Sequence, residues 1–204
     1  MRISATNIDS YRYYRAHEEK DLKSFLADLR KENPATQAMM AGRALHKILE
    51  LSDQGSIVEH NQDEFSFEFN AHIEISLPKI RELKAEQKII VNDKAVTLVG
   101  VVDGIQGNCV FDHKTTASAF DAEKYLDTFQ WRIYLELFQA DIFQWNVFQW
   151  REDTKKPKRY IITDFHQLRA YRYPDMRKDI EHEIALFLDF ARHYLPELYM
   201  QEAA

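Results

Sequence analysis

Apolar residues recur along the chain at two spacings, and the switches between them divide it into elements. Helical spacing runs through Ile8, Tyr11 and Tyr14, where Thr6 or Asn7 can cap, and again through Leu22, Phe25, Leu26 and Leu29. These make a helical lead-in over residues 1–33. Asn33 as cap and Pro34 in the first turn then predict a helix over 34–52, with Ala38, Ala41, Leu45, Ile48 and Leu49 toward the core and His46 beside that face. Phe65, Phe67 and Phe69 alternate as in a strand, and so do Ile73, Ile75 and Leu77 before Pro78 breaks the run. Residues 53–84 therefore read as a peripheral hairpin or a loop over a site.

Strands over 85–91 and 95–105, joined around Asn92-Asp93, lead into a third strand beyond Gly107-Asn108, so the pattern predicts a three-strand meander. Asp121 starts a helix whose stripe is Tyr125, Leu126, Phe129, Ile133, Leu137 and Phe138. Strands over 142–150 and 159–165 follow, joined by the basic turn Lys155-Lys156-Pro157-Lys158-Arg159. Pro174 opens a final helix over 174–196, with Ile180, Ile184, Phe187 and Leu188 on its apolar side. This order predicts one α/β domain over 1–204 with a central mixed sheet flanked by helices, the sheet and helix of 85–168 at its centre.

Composition narrows the class. A chain of 204 residues is long enough for one well-packed core and short for two. The formal net charge of −6 excludes a nonspecific basic coat, so any contact with nucleic acid is local. The lone Cys109 excludes an internal disulfide and a four-cysteine iron-sulfur cluster. The first fifteen residues lack the apolar run of a signal peptide, and no stretch approaches the length of a membrane span, so a reducing cytoplasm is expected and a membrane partner is not.

The chemistry concentrates in Leu98 to Thr116. With Gly107 and Asn108 as a two-residue loop, Gln106 faces Cys109, and counting outward sets Asp103 opposite Asp112, with Lys114 on the same face two residues on. A three-residue loop would put the two aspartates on opposite faces. Carboxylates facing each other across a hairpin repel, so the pairing makes sense with a cation between them. The plain alternative is a surface hairpin whose charges are solvated. The basic turn is likewise read first as a solvated loop, and second as a phosphate contact.

Asp103 followed by Asp112-His113-Lys114 resembles the core of the PD-(D/E)XK nucleases, in particular their RecB-like, phage-type exonuclease branch. Gly42-Arg43-Ala44-Leu45-His46 upstream, Thr115-Thr116 after the lysine, and Gln130-Trp131-Arg132-Ile133-Tyr134, similar to that branch's Q-x-x-x-Y motif, extend the resemblance over residues 40 to 135 in the family's order. It implies a restriction-endonuclease-like core and metal-dependent hydrolysis of DNA phosphodiesters, exonucleolytic rather than endonucleolytic, in phage or bacterial recombination, repair or defence.

The implied ligands of one or two Mg²⁺ or Mn²⁺ ions are Asp103, Asp112, the backbone carbonyl of His113, and His46. Lys114 is implied to orient the attacking water, and Thr115, Thr116, Gln130 and Tyr134 to contact substrate. Implied partners are DNA, a recombination or single-strand-annealing protein, and further copies of the chain. A catalytically silent DNA-binding or assembly module on the same fold is the alternative. Glu50 and Glu86 are read as ordinary solvated acids outside the site.

Overall fold

The structure is a computed structural model, which describes residues 1–17, 21–52, 59–69, 75 and 77–200. Its frame is an eight-stranded mixed sheet. Strand β1 (Arg2–Ser4) leads into α1 (Ala5–Ala16), α2 (Leu22–Leu29) and α3 (Gln37–Leu51); β2 (Glu59–Gln62) and β3 (Phe65–Phe69) form a hairpin. The meander is β4 (Ile80–Val91), β5 (Lys94–Gln106) and β6 (Cys109–Thr116). Helices α4 (Ala122–Asp127) and α5 (Gln130–Leu137) cross over to β7 (Ile142–Glu152), and β8 (Arg159–Tyr171), α6 (Met176–Tyr194) and α7 (Pro196–Tyr199) complete the chain.

The turns of the meander lie where Asn92-Asp93 and Gly107-Asn108 predict them. Asn92, Asp93 and Gly107 adopt positive φ, the backbone that a tight hairpin demands and that Asn, Asp and Gly tolerate. Several boundaries differ from expectation. Ser4, not Thr6 or Asn7, caps α1: its hydroxyl accepts from the Asn7 N–H while the Asn7 side chain accepts from the Ser4 N–H, a reciprocal capping box. Helix α3 starts after Thr36, whose hydroxyl accepts from the Met39 N–H; Asn33 and Pro34 lie outside it, and Ala38 is exposed.

The helix expected to run unbroken from Asp121 is two helices. Asp121 does cap the first, but the chain breaks at Thr128-Phe129, where the Asp9 carboxylate of α1 accepts from the N–H groups of Phe129 and Gln130 and so caps α5 from outside. The 59–69 hairpin belongs to the main sheet, with β3 parallel to β8. Ile75 and Leu77 lie outside any strand, and Ile73 is outside the described residues.

Strand β5 positions the rest. One of its edges is taken throughout by β4, so β1, pairing at Thr97 to Val99, and β6, pairing at Gly104 to Gln106, must share the other edge end to end. Between these two partners the sheet opens into a fork. One apolar cluster, including Ile8, Leu98, Val102, Val110, Ile133, Trp145 and Ile184, fills the face covered by α1, α5 and α6. A second, including Leu45, Leu49, Phe67, Phe148 and Tyr160, fills the face under α3. The result is a mixed α/β sheet flanked by helices, compatible with a restriction-endonuclease-like core.

Helix α3 is anchored by Arg81 of β4. Its Nη1 donates to the carbonyls of Leu49 (2.9 Å), Glu50 (2.6 Å) and Ser52 (2.6 Å), and its Nε to that of Pro78 (3.0 Å). A guanidinium at a helix C-terminus meets both the open carbonyls and the negative end of the dipole. Arg81→Ala is expected to cost about 1.5–3 kcal/mol, the range for hydrogen bonds to a charged group, read as a lower midpoint in urea unfolding.

Candidate active site in the fork of the sheet

The register of the β5–β6 hairpin is the one a two-residue loop requires, with Gln106 opposite Cys109 and Gly104 opposite Phe111. The ladder then stops, one pair short of Asp103 and Asp112. Alternation along β5 fails at the same place, since Val102 and Ile105, three residues apart, both pack toward the α5 side. The Asp103 side chain therefore lies along the strand edge, where its Oδ2 accepts from the backbone N–H of His113 at 2.5 Å. A carboxylate thus takes over a donor that the parting of the strands would leave unpaired.

Two groups of side chains meet there from the two faces. His46, carried by α3, places Nδ1 3.2 Å from Asp103 Oδ1. Asp112 and Lys114 share a strand face with Val110 and so project toward α5, while His113 points the other way, its ring near those of His46 and Phe148. Lys114 Nζ donates to Asp112 Oδ1 at 2.9 Å and lies 2.8 Å from Oδ2, at an angle that leaves the buried Oδ2 without a directed hydrogen bond. The Asp112 side chain is only 7% exposed, that of Lys114 37%. Lys114 thus reaches from a buried acid to solvent.

Electrostatics follow from this packing. Burial opposes ionisation of Asp103, but the His46 hydrogen bond and charge and the His113 N–H outweigh it and hold the carboxyl down at about 2. For His46, desolvation is outweighed by Asp103, and its pKa rises. Burial lowers the pKa of His113 to about 4, so this ring is neutral. Burial raises that of Asp112, against the pull of Lys114; the Lys114 ammonium, disfavoured by burial, is held charged by Asp112.

The His46–Asp103 pair makes a prediction for the metal-free protein. Because the Asp103 pKa is depressed, its contribution is present above about 3.8 and fades as pH falls toward about 2. Because that of His46 is raised, its contribution is full below about 6.5 and fades as pH climbs through the raised value. The melting-temperature gap between wild type and His46→Gln in EDTA should accordingly be widest between these limits and narrow on either side.

The remaining expected residues divide. Gln130 Nε2 donates to the Tyr134 hydroxyl at 2.8 Å. Tyr134 is buried beside Asp112 and Lys114, and its pKa is raised by burial and by the Asp112 charge. Gly100 admits this ring: a Cβ there would sit 2.6 Å from Tyr134 Cε1. Thr115 lies below Gly42 of α3, whereas the Thr116 hydroxyl is engaged by Ser118 (N–H at 3.2 Å, hydroxyl at 3.0 Å). Glu50 pairs with Lys47, and Glu86 with Arg2 and Lys84, at the surface. In the basic turn Lys158 pairs with Glu64, and Arg159 with Glu68.

Two contributors went unread in the sequence. Asp9 caps α5 and senses the Lys114 charge. Behind His113, buried Asn146 Nδ2 lies 3.3 Å from its Nδ1, and Asn146 Oδ1 accepts from buried Gln144 Nε2 at 2.9 Å, which in turn holds Arg169. Gln144 and Asn146 alternate with apolar residues, so they read as the solvent face of a half-buried strand. Only the parallel neighbour β6 and antiparallel β8 make β7 a central strand buried on both sides.

Among the described residues, no three His, Cys, Asp or Glu side chains gather into a ready-made metal cage. Lys114 pairs with Asp112, and the His46 imidazole with Asp103. The donor set itself suits a hard divalent ion: two carboxylates that feel each other's charge, one with a buried oxygen lacking a directed hydrogen bond, and an imidazole. Among the described residues no helix is long and apolar enough to cross a membrane.

No family model matches the chain, and no curated protein matches it. Among solved structures it is similar to SSO0001, with a TM-score of 0.52 and 18% identity over 92% of this chain and 76% of that one, a likeness of fold alone. A structure of LHK-Exo in complex with dAMP aligns over 96% of this chain and 90% of that one, at 12% identity and a TM-score of 0.44.

Proposed function

We propose that the fork is the active site of a metal-dependent deoxyribonuclease, exonucleolytic in action, with Asp103, Asp112 and Lys114 as its catalytic residues. The observation that carries this reading is the Asp112–Lys114 pair: a buried carboxylate beside a second acid, with a lysine bridging it to solvent. A purely structural ion pair gains little from burying a charge next to another acid, since desolvation offsets the attraction. A phosphodiester site uses both signs.

Asp103, Asp112, the His113 carbonyl and His46 would hold Mg²⁺ or Mn²⁺, which when bound polarises the scissile phosphate and lowers the pKa of a water. Lys114 then has two tasks: its Nζ orients the attacking water, and its charge offsets the negative charge that builds on the phosphoryl oxygens. The Gln130–Tyr134 pair places a hydroxyl beside Lys114, where it positions substrate. Thr115 and Thr116 are the other substrate contacts in this reading. The neutral His113 ring, held by Asn146, keeps the β6 backbone in place between the two acids.

The silent DNA-binding module is favoured by one observation, the lack of a preformed three-ligand cage among the described residues. Against it stands the complete acid, acid and lysine set. The deciding experiment incubates the protein with linear and circular DNA in Mg²⁺ or Mn²⁺. Mononucleotide release from linear DNA with circles left intact supports the exonuclease, nicked circles an endonuclease, and intact linear DNA the silent module.

A further inference from the structure

Helix α5 carries Gln130 and Tyr134 to the candidate site, yet it has no cap of its own: Phe129 stands at its N-cap position without a capping side chain, and no acid lies in its first turn. Its eight residues make about two turns, so the way the first turn is held decides where both side chains lie. What holds that turn comes from α1. The partly buried Asp9 accepts from the Phe129 N–H through Oδ1 and from the Gln130 N–H through Oδ2, the latter at 3.1 Å. One turn on, along the same face of α1, Arg12 donates from Nη1 to the Asp127 carbonyl at 3.0 Å and sets its guanidinium 5.0 Å from the centre of the Phe129 ring. Asp9 thus takes the open N–H groups where α5 begins, and Arg12 an open carbonyl where α4 ends. Each charge has the sign that the nearby helix dipole favours.

Beyond this brace the geometry is tight. Gln130 is the first residue of α5, and its Nε2 reaches the Tyr134 hydroxyl at 2.8 Å. The Tyr134 ring is seated on Gly100 of β5, where an added Cβ would meet Cε1 at 2.6 Å. Burial of Trp131, Ile133 and Leu135 is non-directional and holds α5 to the core; the directed bonds at the first turn fix its position along its own axis. A slide by one residue's rise, about 1.5 Å, would displace the hydroxyl by that much from the Asp112–Lys114 pair whose charges it feels.

We propose that Asp9, seconded by Arg12, is a positioning residue of the reaction: it fixes the first turn of α5 and, through it, the Tyr134 hydroxyl beside Lys114. The inference rests on the nuclease reading of the fork, in which that hydroxyl positions substrate. A misplacement of about 1 Å can cost an enzyme about 100-fold, so a residue that touches neither substrate nor metal can still set the rate. Asp9 also acts on the same group through its charge. Burial raises its pKa, and the Lys114 ammonium is among the groups that oppose this rise, so the carboxylate and the ammonium favour each other's charged form.

The test uses the full chain with its tyrosines ¹³C-labelled at Cζ, and NMR spectra taken in EDTA. The Tyr134 resonance is the one lost in Tyr134→Phe. Asp9→Asn keeps the shape of the side chain but turns one acceptor into an amide donor facing an N–H; it should shift the Tyr134 resonance, and Arg12→Gln should shift it in the same direction. With DNA and Mn²⁺, Asp9→Asn should lower kcat about 10- to 100-fold and leave KM within about twofold of wild type. Added to Tyr134→Phe, it should cost nothing further, because both changes remove one arrangement. A plain helix cap behaves otherwise: its loss lowers the melting temperature, leaves the Tyr134 resonance in place, and adds any cost in kcat in full to that of Tyr134→Phe. An unmoved resonance or full additivity in a folded Asp9→Asn protein would overturn the proposal, and if Asp9→Asn does not fold, the same results with Arg12→Gln would do so. A shifted Tyr134 resonance together with no cleavage by wild type in Mn²⁺ would support the brace and refute the nuclease reading alone.

Discussion

Lys114→Ala is expected to lower metal-dependent cleavage by about 10³-fold, near the upper end of what removing one electrostatic stabiliser costs an enzyme. Manganese affinity should stay within a few-fold of wild type or improve. The Lys114 ammonium contacts both oxygens of Asp112, so in the metal-free protein it competes with any cation for that carboxylate. Its removal leaves a buried acid without its ion-pair partner, and the metal-free variant should be less stable by about 1–3 kcal/mol. Because Lys114 is partly solvent-exposed, the loss falls short of that for a fully buried pair. Added Mn²⁺ should then raise the melting temperature of Lys114→Ala more than that of wild type. Loss of Mn²⁺ binding in a folded Lys114→Ala protein would show that the lysine supports the metal site rather than the reaction.

Asp112→Asn should abolish cleavage and Mn²⁺ binding together, the activity falling at least about 10³-fold. The substitution keeps the shape of the side chain and removes its charge, so the packing around Tyr134 survives. What changes is the sign of the site: Lys114 keeps its ammonium, now beside an amide, and a divalent cation must enter against that charge. Calorimetric titration with Mn²⁺ beside a cleavage assay checks both halves. A folded Asp112→Asn protein that cleaves at the wild-type rate would remove Asp112 from the reaction.

How much of this was legible in the chain depends on how local each cause is. The β5–β6 hairpin could be read to the residue because Gly107-Asn108 fixes the loop and the loop fixes the register. That Asp103 would bend along the strand edge could not, because it depends on where β1 and β6 divide one edge of β5 between them. The periodicity from Tyr125 to Phe138 runs on across a break imposed by Asp9, more than a hundred residues earlier. At the start of α3 two capping signals compete three residues apart, and Thr36 prevails over Asn33. The pairing of β3 with β8 joins segments about ninety residues apart, and alternation in Phe65 to Phe69 says nothing about the partner. The approach of His46 to Asp103 was suggested only by the family resemblance, since a histidine at the edge of an apolar helix face is otherwise commonplace.

The central claim is that the fork hydrolyses phosphodiester bonds with the help of a divalent cation. Its most direct test is release of label from end-labelled linear DNA by wild-type protein in Mn²⁺, in EDTA, and in EDTA followed by excess Mn²⁺, with Asp112→Asn purified in parallel. The account predicts product with Mn²⁺, none in EDTA, recovery on adding the metal back, and none at any stage with Asp112→Asn. Cleavage that persists in EDTA, or that appears equally in the Asp112→Asn preparation, would contradict it.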